Sequence, residues 1–257
     1  MPVEVADIRI GVFYTAVKLS DGHAGVAFTP RDLEDSVCCP RSAAKMPASG
    51  KLKGKTAWDL ATYALSDNSL KRSVGVATIN ALSARLMEKD GIRGGKMLAG
   101  KDALDALNMG RGDKVVLVGA FTPFIRKLKE KKSEFYIIDK HPQALKGDEL
   151  PFWRSPDKAP DILTRADIAI ISGSALVEGG LEDLLSLCRR AREVVLAGPT
   201  ASMWPEPLFR RGVTVLGGIT VSDADRLLQV VSEGGSGYFF TGPARKMSIV
   251  RERVAAL

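Results

Sequence analysis

The chain has 257 residues, 45% of them hydrophobic and 26% charged, with a formal net charge of +7. That is enough apolar material for one or two packed cores, and no run approaches the ~18 uncharged apolar residues of a membrane span. Three cysteines, two of them adjacent, make a poor disulfide framework, and the acidic amino terminus lacks the order of a secretory signal, so a cytoplasmic protein is expected.

In chain order, residues 8–19 and 23–29 alternate enough to be strands. Ser20-Asp21-Gly22-His23 between them has tight-turn composition, which predicts a hairpin. Residues 34–54, rich in Pro, Ser, Gly and Lys, read as a long loop. Thr56 followed by Asp59 is a capping signature for a helix carrying Trp58, Leu60, Tyr63 and Leu65. A longer helix is predicted over 69–89, with Leu70, Val74, Ala77, Ala81 and Leu82 near one face and Gly91, Gly94 and Gly95 stopping it. The pattern changes near 90–112, which divides the chain into residues 1–105 and 106–257.

From Asp113 strand and helix alternate. Near-continuous Val, Ile and Leu runs at 114–119, 135–139, 167–172, 193–198 and 213–217 suit strands buried on both faces. The expected fold is therefore α/β: a Rossmann-like, mainly parallel sheet with helices on both faces, preceded by a smaller α+β domain. Thr122-Pro123 supplies a helix cap and a first-turn proline, and Ser222 with Asp225 caps a later helix. Leu181, Leu184, Leu185 and Cys188 fall on one helical face, which makes Cys188 a core thiol.

Three strand ends are alike: Val-Gly-Ala-Phe-Thr-Pro at 118–123, Ile-Ser-Gly-Ser at 171–174 and Ala-Gly-Pro-Thr-Ala-Ser at 197–202. In an open α/β sheet such ends line the crevice where small ligands bind. Ligand contacts are thus expected from Gly119, Thr122, Ser172, Gly173, Ser174, Gly198, Pro199 and Thr200. A helix beginning near Thr122 would offer free N–H groups to an anion.

Asp139 follows Gly119 by 20 residues, the spacing at which dinucleotide-binding domains place an acid on ribose. The Gly-x-Gly-x-x-Gly fingerprint is absent, and Ala120 and Phe121 would block a pyrophosphate. Asp139 thus reads either as an acid for a nucleoside or adenosylmethionine-like ligand or as a loop cap. Asn80 reads either as reaching the crevice from the first domain or as an interior hydrogen bond.

The metal candidates are Cys38 with Cys39, His141 with Asp139, and Glu178. Adjacent thiols seldom point at one ion, and Pro142 breaks the strand geometry that would align Asp139 with His141. A transient divalent or heavy-metal ion arriving with a ligand is expected over a structural metal. Serine chemistry would need a base, and the chain has only His23 and His141 and no Gly-x-Ser-x-Gly elbow.

The positive charge raises the question of nucleic acid. Its clusters at 126–132 and 189–192 fall on the polar sides of predicted helices, others lie at 210–211 and 245–253, and 6% aromatic residues leave little for base stacking. Neither nucleic acid nor membrane is expected as a partner. A small anionic or metal-bearing ligand is, and a homodimer is the base-rate oligomer.

Several segments together carry a family resemblance: Ala-Thr-Ile-Asn-Ala at 77–81, Val118-Gly119, residues 167–176, Gly198-Pro199-Thr200 with Pro205 and Phe209, and Gly217-Gly218 before Val221-Ser222-Asp223. The chain resembles, over nearly its whole length, the domain-of-unknown-function family labelled putative heavy-metal chelation. The resemblance implies an enolase-amino-terminal-like domain joined to a Rossmann-like domain, and a link to metal or metallo-cofactor metabolism. The family usually carries Asn-Gly-Thr where this chain has Glu178-Gly179-Gly180, which brings a negative charge to the rim. Function is thereby expected to be heavy-metal chelation or small-ligand binding in an interdomain cleft, with an enzymatic role in metal or metallo-cofactor metabolism left open. The alternatives are a non-catalytic binding module and an adenosylmethionine- or nucleoside-dependent transferase-like enzyme.

Overall fold

The computed structural model describes residues 2–30, 48–110 and 112–252. Cys38 and Cys39 lie outside the described residues, as does most of the loop expected over 34–54.

The first strands are β1 (Val5–Ile10), β2 (Tyr14–Leu19) and β3 (Ala24–Phe28), an antiparallel sheet in the order β1-β2-β3. The strand expected over 8–19 is thus two strands, broken at Gly11-Val12-Phe13. A Cβ on Gly11 would stand 2.1 Å from the carbonyl oxygen of Val231, so the break is where another element presses on the backbone. Thr56 caps α1 (Ala57–Ala61) as expected, its side chain accepting from the Asp59 N–H at 3.1 Å. A 3-10 turn, Thr62–Leu65, follows, and Trp58 and Leu65 face outward at 76% and 88% exposed. The long helix α2 (Ser69–Asp90) ends at Gly91, where φ is 70°.

The glycine-rich stretch beyond it holds a strand that the sequence did not announce, β4 (Gly95–Ala99). It is followed by a 3-10 turn, Ala103–Ala106, then β5 (Lys114–Val118), α3 (Thr122–Glu130), β6 (Glu134–Ile138), the two-residue β7 (Trp153–Arg154), α4 (Ala159–Leu163), β8 (Ile168–Ser172), α5 (Ala175–Glu178), α6 (Leu181–Leu187), β9 (Glu193–Ala197), α7 (Glu206–Arg210), β10 (Val215–Val221), α8 (Ala224–Ser232) and β11 (Ala244–Arg251). Two cap assignments move by one residue. Phe121, not Thr122, occupies the N-cap of α3 with no side-chain bond, and Asp223, not Ser222, caps α8 by accepting from the Arg226 N–H at 3.0 Å.

The second sheet has eight strands in the order β4-β11-β10-β9-β8-β5-β6-β7. From β10 to β7 every pairing is parallel, whereas β11 and β4 add an antiparallel edge. Successive residues of β5 point to opposite faces: Val115 and Leu117 pack with Ile125 and Leu128 of α3, and Val116 joins the core of Leu163 and Leu185 from α4 and α6. Each fully buried Leu or Ile contributes about 1.5–3 kcal/mol, which explains why these strands lack polar alternation. The parallel strands run β7-β6-β5-β8-β9-β10, so the direction of winding reverses between β5 and β8, and the crevice of a doubly wound sheet opens at that point.

The small sheet is covered on both faces. Val17, Leu19 and Ala27 pack against Val74, Ala77 and Ala81 of α2, and Ala16 and Val26 pack against Leu227, Leu228 and Val231 of α8. Since α8 follows β10 of the large sheet, the two sheets share one of these cores.

Candidate functional site

The turns after β5, β8 and β9 lie together at the carboxyl edge of the large sheet. Gly119 has φ 107°, and a Cβ there would meet the Ser172 Cβ at 3.1 Å. Gly198 has φ 113°, with the Phe121 ring 3.8 Å from its Cβ position. Phe121 is half-buried and stacked on Phe124, with ring centroids 5.2 Å apart. A phenyl ring therefore covers the winding reversal where a dinucleotide's pyrophosphate would run.

Gly173 is the contact between two turns. Its Cβ position lies 3.0 Å from the Ala201 nitrogen and 3.2 Å from the Thr200 Cβ, closer than a side chain permits without displacement. Ser172 and Ser174, both half-buried, have their hydroxyl oxygens 3.0 Å apart. Ser172 Oγ also accepts from the Ser174 N–H at 3.2 Å.

Asp139 is a loop cap. Its Oδ2 accepts from the Ala120 N–H and its Oδ1 from the His141 N–H, both at 2.7 Å. The Ala120 N–H in the turn after β5 is thereby filled by the protein's own carboxylate. The adjacent Lys140 reaches across to Glu178, Nζ to Oε2 3.8 Å, so the extra negative charge of this chain's Glu178 is balanced at the rim.

Asn80 and Thr200 hold protein to protein, which corrects their expected role as open ligand contacts. Thr200 is 3% exposed, and its Oγ1 accepts from the Phe28 N–H of β3 at 2.9 Å. Asn80 is 1% exposed and donates from Nδ2 to the carbonyls of Val26 at 2.7 Å and Thr200 at 2.8 Å. The physical reason is that β3 and α2 are seated on the Pro199–Ala201 turn, sealing it. Thr122 is exposed elsewhere, on an open groove of ≈ 380 Å³ that it lines with Pro123, Arg126, Lys129 and Tyr238. The expectation that Thr122, Ser174 and Thr200 share one hollow is therefore revised: Gly119 and Gly198 flank Phe121, Ser172 meets Gly119 and bonds Ser174, and Gly173 packs on Thr200, while Thr122 faces outward and Thr200 inward.

A metal centre does not fit the described residues. No group of three His, Cys, Asp or Glu side chains converges among them. Each Asp139 oxygen accepts a main-chain N–H, His141 is exposed with Nδ1 3.3 Å from Gln143 Nε2, and Glu178 is paired with Lys140. Cys188 is a core thiol, as expected, and burial pushes its pKa up to about 12, far from the thiolate a metal needs. The two ring nitrogens of His23 face Asp21 Oδ1 at 3.0 Å and Glu88 Oε2 at 2.5 Å, on opposite sides of the ring.

Sequence reasoning offered Lys140 only as a neighbour for Asp139, whereas it pairs with Glu178, and it missed Arg72. Arg72 crosses from α2 to donate to the carbonyls of Val177 and Glu178. No periodicity marks either residue, because their partners are main-chain groups or distant side chains. No helix among the described residues is long and apolar enough to cross a membrane.

Two family models, both described as putative heavy-metal chelation, match the chain, one over residues 102–250 and the other over 2–83. An uncharacterized protein of Methanocaldococcus jannaschii is 28% identical over 182 residues, covering 70% of this chain and 66% of that protein, so the match spans just under two thirds of the relative's length. Among solved structures, a Pyrococcus horikoshii protein of unknown function from the family matched at 102–250 superposes with a TM-score of 0.77 at 24% identity, over 98% of this chain and 94% of that one. A Desulfitobacterium hafniense protein of the same family gives 0.76 at 23% identity, over 97% and 93%. At these identities the likeness concerns the fold.

Proposed function

On the premise that this chain belongs to the family described as putative heavy-metal chelation, we propose that it binds a small anionic ligand able to carry a metal ion at the crevice around Phe121. The observation that carries the reading is the contact of three strand-end turns, Gly119 on Ser172, Gly173 on Thr200 and Gly198 on Phe121, at the reversal of winding. The donors there are the hydroxyls of Ser172 and Ser174, with the ammonium of Lys140, ion-paired to Glu178, at the rim. The ion enters as part of the ligand, because the described residues lack a converging set of metal-binding side chains.

The reading is one of binding. Nucleophilic use of Ser172 or Ser174 would need a base, and the two hydroxyls bond each other while the imidazole of His23 is bonded to Asp21 and Glu88 and that of His141 faces Gln143. A nucleoside or adenosylmethionine ligand would draw on Asp139, whose oxygens each already accept a main-chain N–H that ties down the turns after β5 and β6. We further divide the chain between Asp90 and Gly95 and not at 105, since β4 is hydrogen-bonded to β11 of the large sheet.

Titration with free Ni²⁺ and with Ni²⁺ citrate, followed by the backbone amide signals of Gly119, Ser172 and Ser174, tests this. The citrate complex is expected to shift these signals, and the double variant Lys140→Ala, Ser174→Ala to abolish the shift. If neither probe moves them, the crevice is not a site of this kind. Stoichiometric retention of the free ion by a Cys38→Ser, Cys39→Ser variant would likewise refute delivery as a complex.

A further inference from the structure

We infer that Arg72, on the first unit, is the positioning residue that fixes the turn after β8, and through it the rim of the crevice. This deepens the binding reading above and rests on it only for its functional meaning.

The segment it holds has little reason to be ordered by itself. Helix α5 has four residues, far short of the dozen or so at which a helix is even marginal in water. Behind it stand Gly179 and Gly180, both at positive φ, 89° and 83°, where the backbone freedom lost on folding is greatest. Two anchors compensate. Val177 is fully buried in the core shared with α2, and Arg72 grips the carbonyls at the end of the helix.

The grip uses the fork of the guanidinium. Nε donates to the Val177 carbonyl at 2.6 Å and Nη2 to the Glu178 carbonyl at 3.2 Å, while Nη1 donates backward to Ser66 at 3.0 Å and Asp67 at 3.3 Å. One rigid cation thus joins the residues leading into α2 to the last turn of α5, satisfying carbonyls that a short helix leaves open. A lysine has one ammonium and cannot span both sets. The consequence passes onward: the Glu178 main chain is held by Arg72 and its carboxylate meets Lys140 beside Asp139, which caps Ala120 in the turn after β5. Ser174 begins the same short helix, its carbonyl accepting from the Val177 N–H at 2.8 Å and the Glu178 N–H at 2.9 Å. Loosening the far end of α5 therefore loosens the serine pair.

Hydrogen exchange on the ligand-free full-length protein tests this, so its outcome is separable from whether any probe binds. In Arg72→Lys the amides of Val177, Glu178 and Gly179 are expected to exchange at least about tenfold faster, with those of Leu117 and Ile170 in the central strands unchanged. In Arg72→Ala the same acceleration is expected, reversed by millimolar guanidinium ion and not by ammonium. If Arg72→Ala does not fold, Arg72→Lys carries the test. Exchange at the three amides left unchanged, or faster evenly across the sheet, would overturn the assignment, because the first means no grip and the second only general stabilisation.

Discussion

Ser172-Gly173-Ser174 and Gly198-Pro199-Thr200 stand side by side at neighbouring strand ends, built from the same small and hydroxyl-bearing residues. The fold uses them differently. β3 and α2 settle on the second turn, whose Thr200 hydroxyl is spent on the Phe28 N–H and whose carbonyl is spent on Asn80. The first turn stays half-exposed, with its two hydroxyls bonded to each other and held from behind by Arg72. A Gly-rich, hydroxyl-rich strand end is thus equally suited to receive a ligand or another part of the chain. What separates the outcomes is which element lands on it.

The sharpest way to break this comparison is to remove the seal. Asn80→Ala takes the donors from two carbonyls in a site 1% exposed, and a loss of about 2–4 kcal/mol in urea unfolding is expected. Ser172→Ala on the open turn is expected to cost less than about 1 kcal/mol. Equal costs would mean that the two turns are not distinct.

Gly173→Ala probes the contact between them. Its methyl group would meet the Ala201 nitrogen and Thr200 Cβ, so about 1–3 kcal/mol of destabilisation is expected, with chemical-shift changes reaching both turns. Changes confined to residues 172–174 would show that the turns are independent.

The smallest effect belongs to a tie lying wholly on the first unit. Burial pulls the His23 pKa down, but hydrogen bonds that its ring donates to Asp21 and Glu88 outweigh this and hold it above its ordinary value. Burial acts to raise the Asp21 pKa, yet bonds to His23 and Arg85 leave it lowered. The stabilisation from a raised histidine is fully present below about pH 6.5 and fades as pH rises through the folded value. The difference in melting temperature between wild type and His23→Gln should therefore be largest near about pH 5.5 and shrink in alkaline buffer. A pH-independent difference would show that His23 acts by packing alone.

Much of the large sheet was legible. Runs such as Val115–Val118 and Ile168–Ile171 are apolar throughout because both of their faces are buried, and that requirement writes itself into consecutive residues. β4 and β11 were not: β4, Gly-Lys-Met-Leu-Ala, is the largely exposed edge strand, and β11, Ala-Arg-Lys-Met-Ser-Ile-Val-Arg, lies between β4 and β10 but mixes the buried Met247, Ser248 and Ile249 with the exposed Arg245, Lys246 and Arg251. The break at Gly11 escaped notice because its cause, the Val231 carbonyl, lies 220 residues away in the chain.

For the site, the sequence by itself determined which strand ends were small, polar and able to approach one another closely, since Gly119 and Gly198 meet a local requirement of backbone angle and Gly173 leaves room for a neighbouring turn. Only the tertiary structure decided that Thr200 is sealed, that Thr122 faces outward, that Asp139 spends both oxygens on main-chain N–H groups and that Arg72 holds a helix from another unit. The physical reason is that a hydrogen bond is spent on whichever partner the packed chain brings within about 3 Å, and that partner leaves no mark on the residues beside it in the sequence.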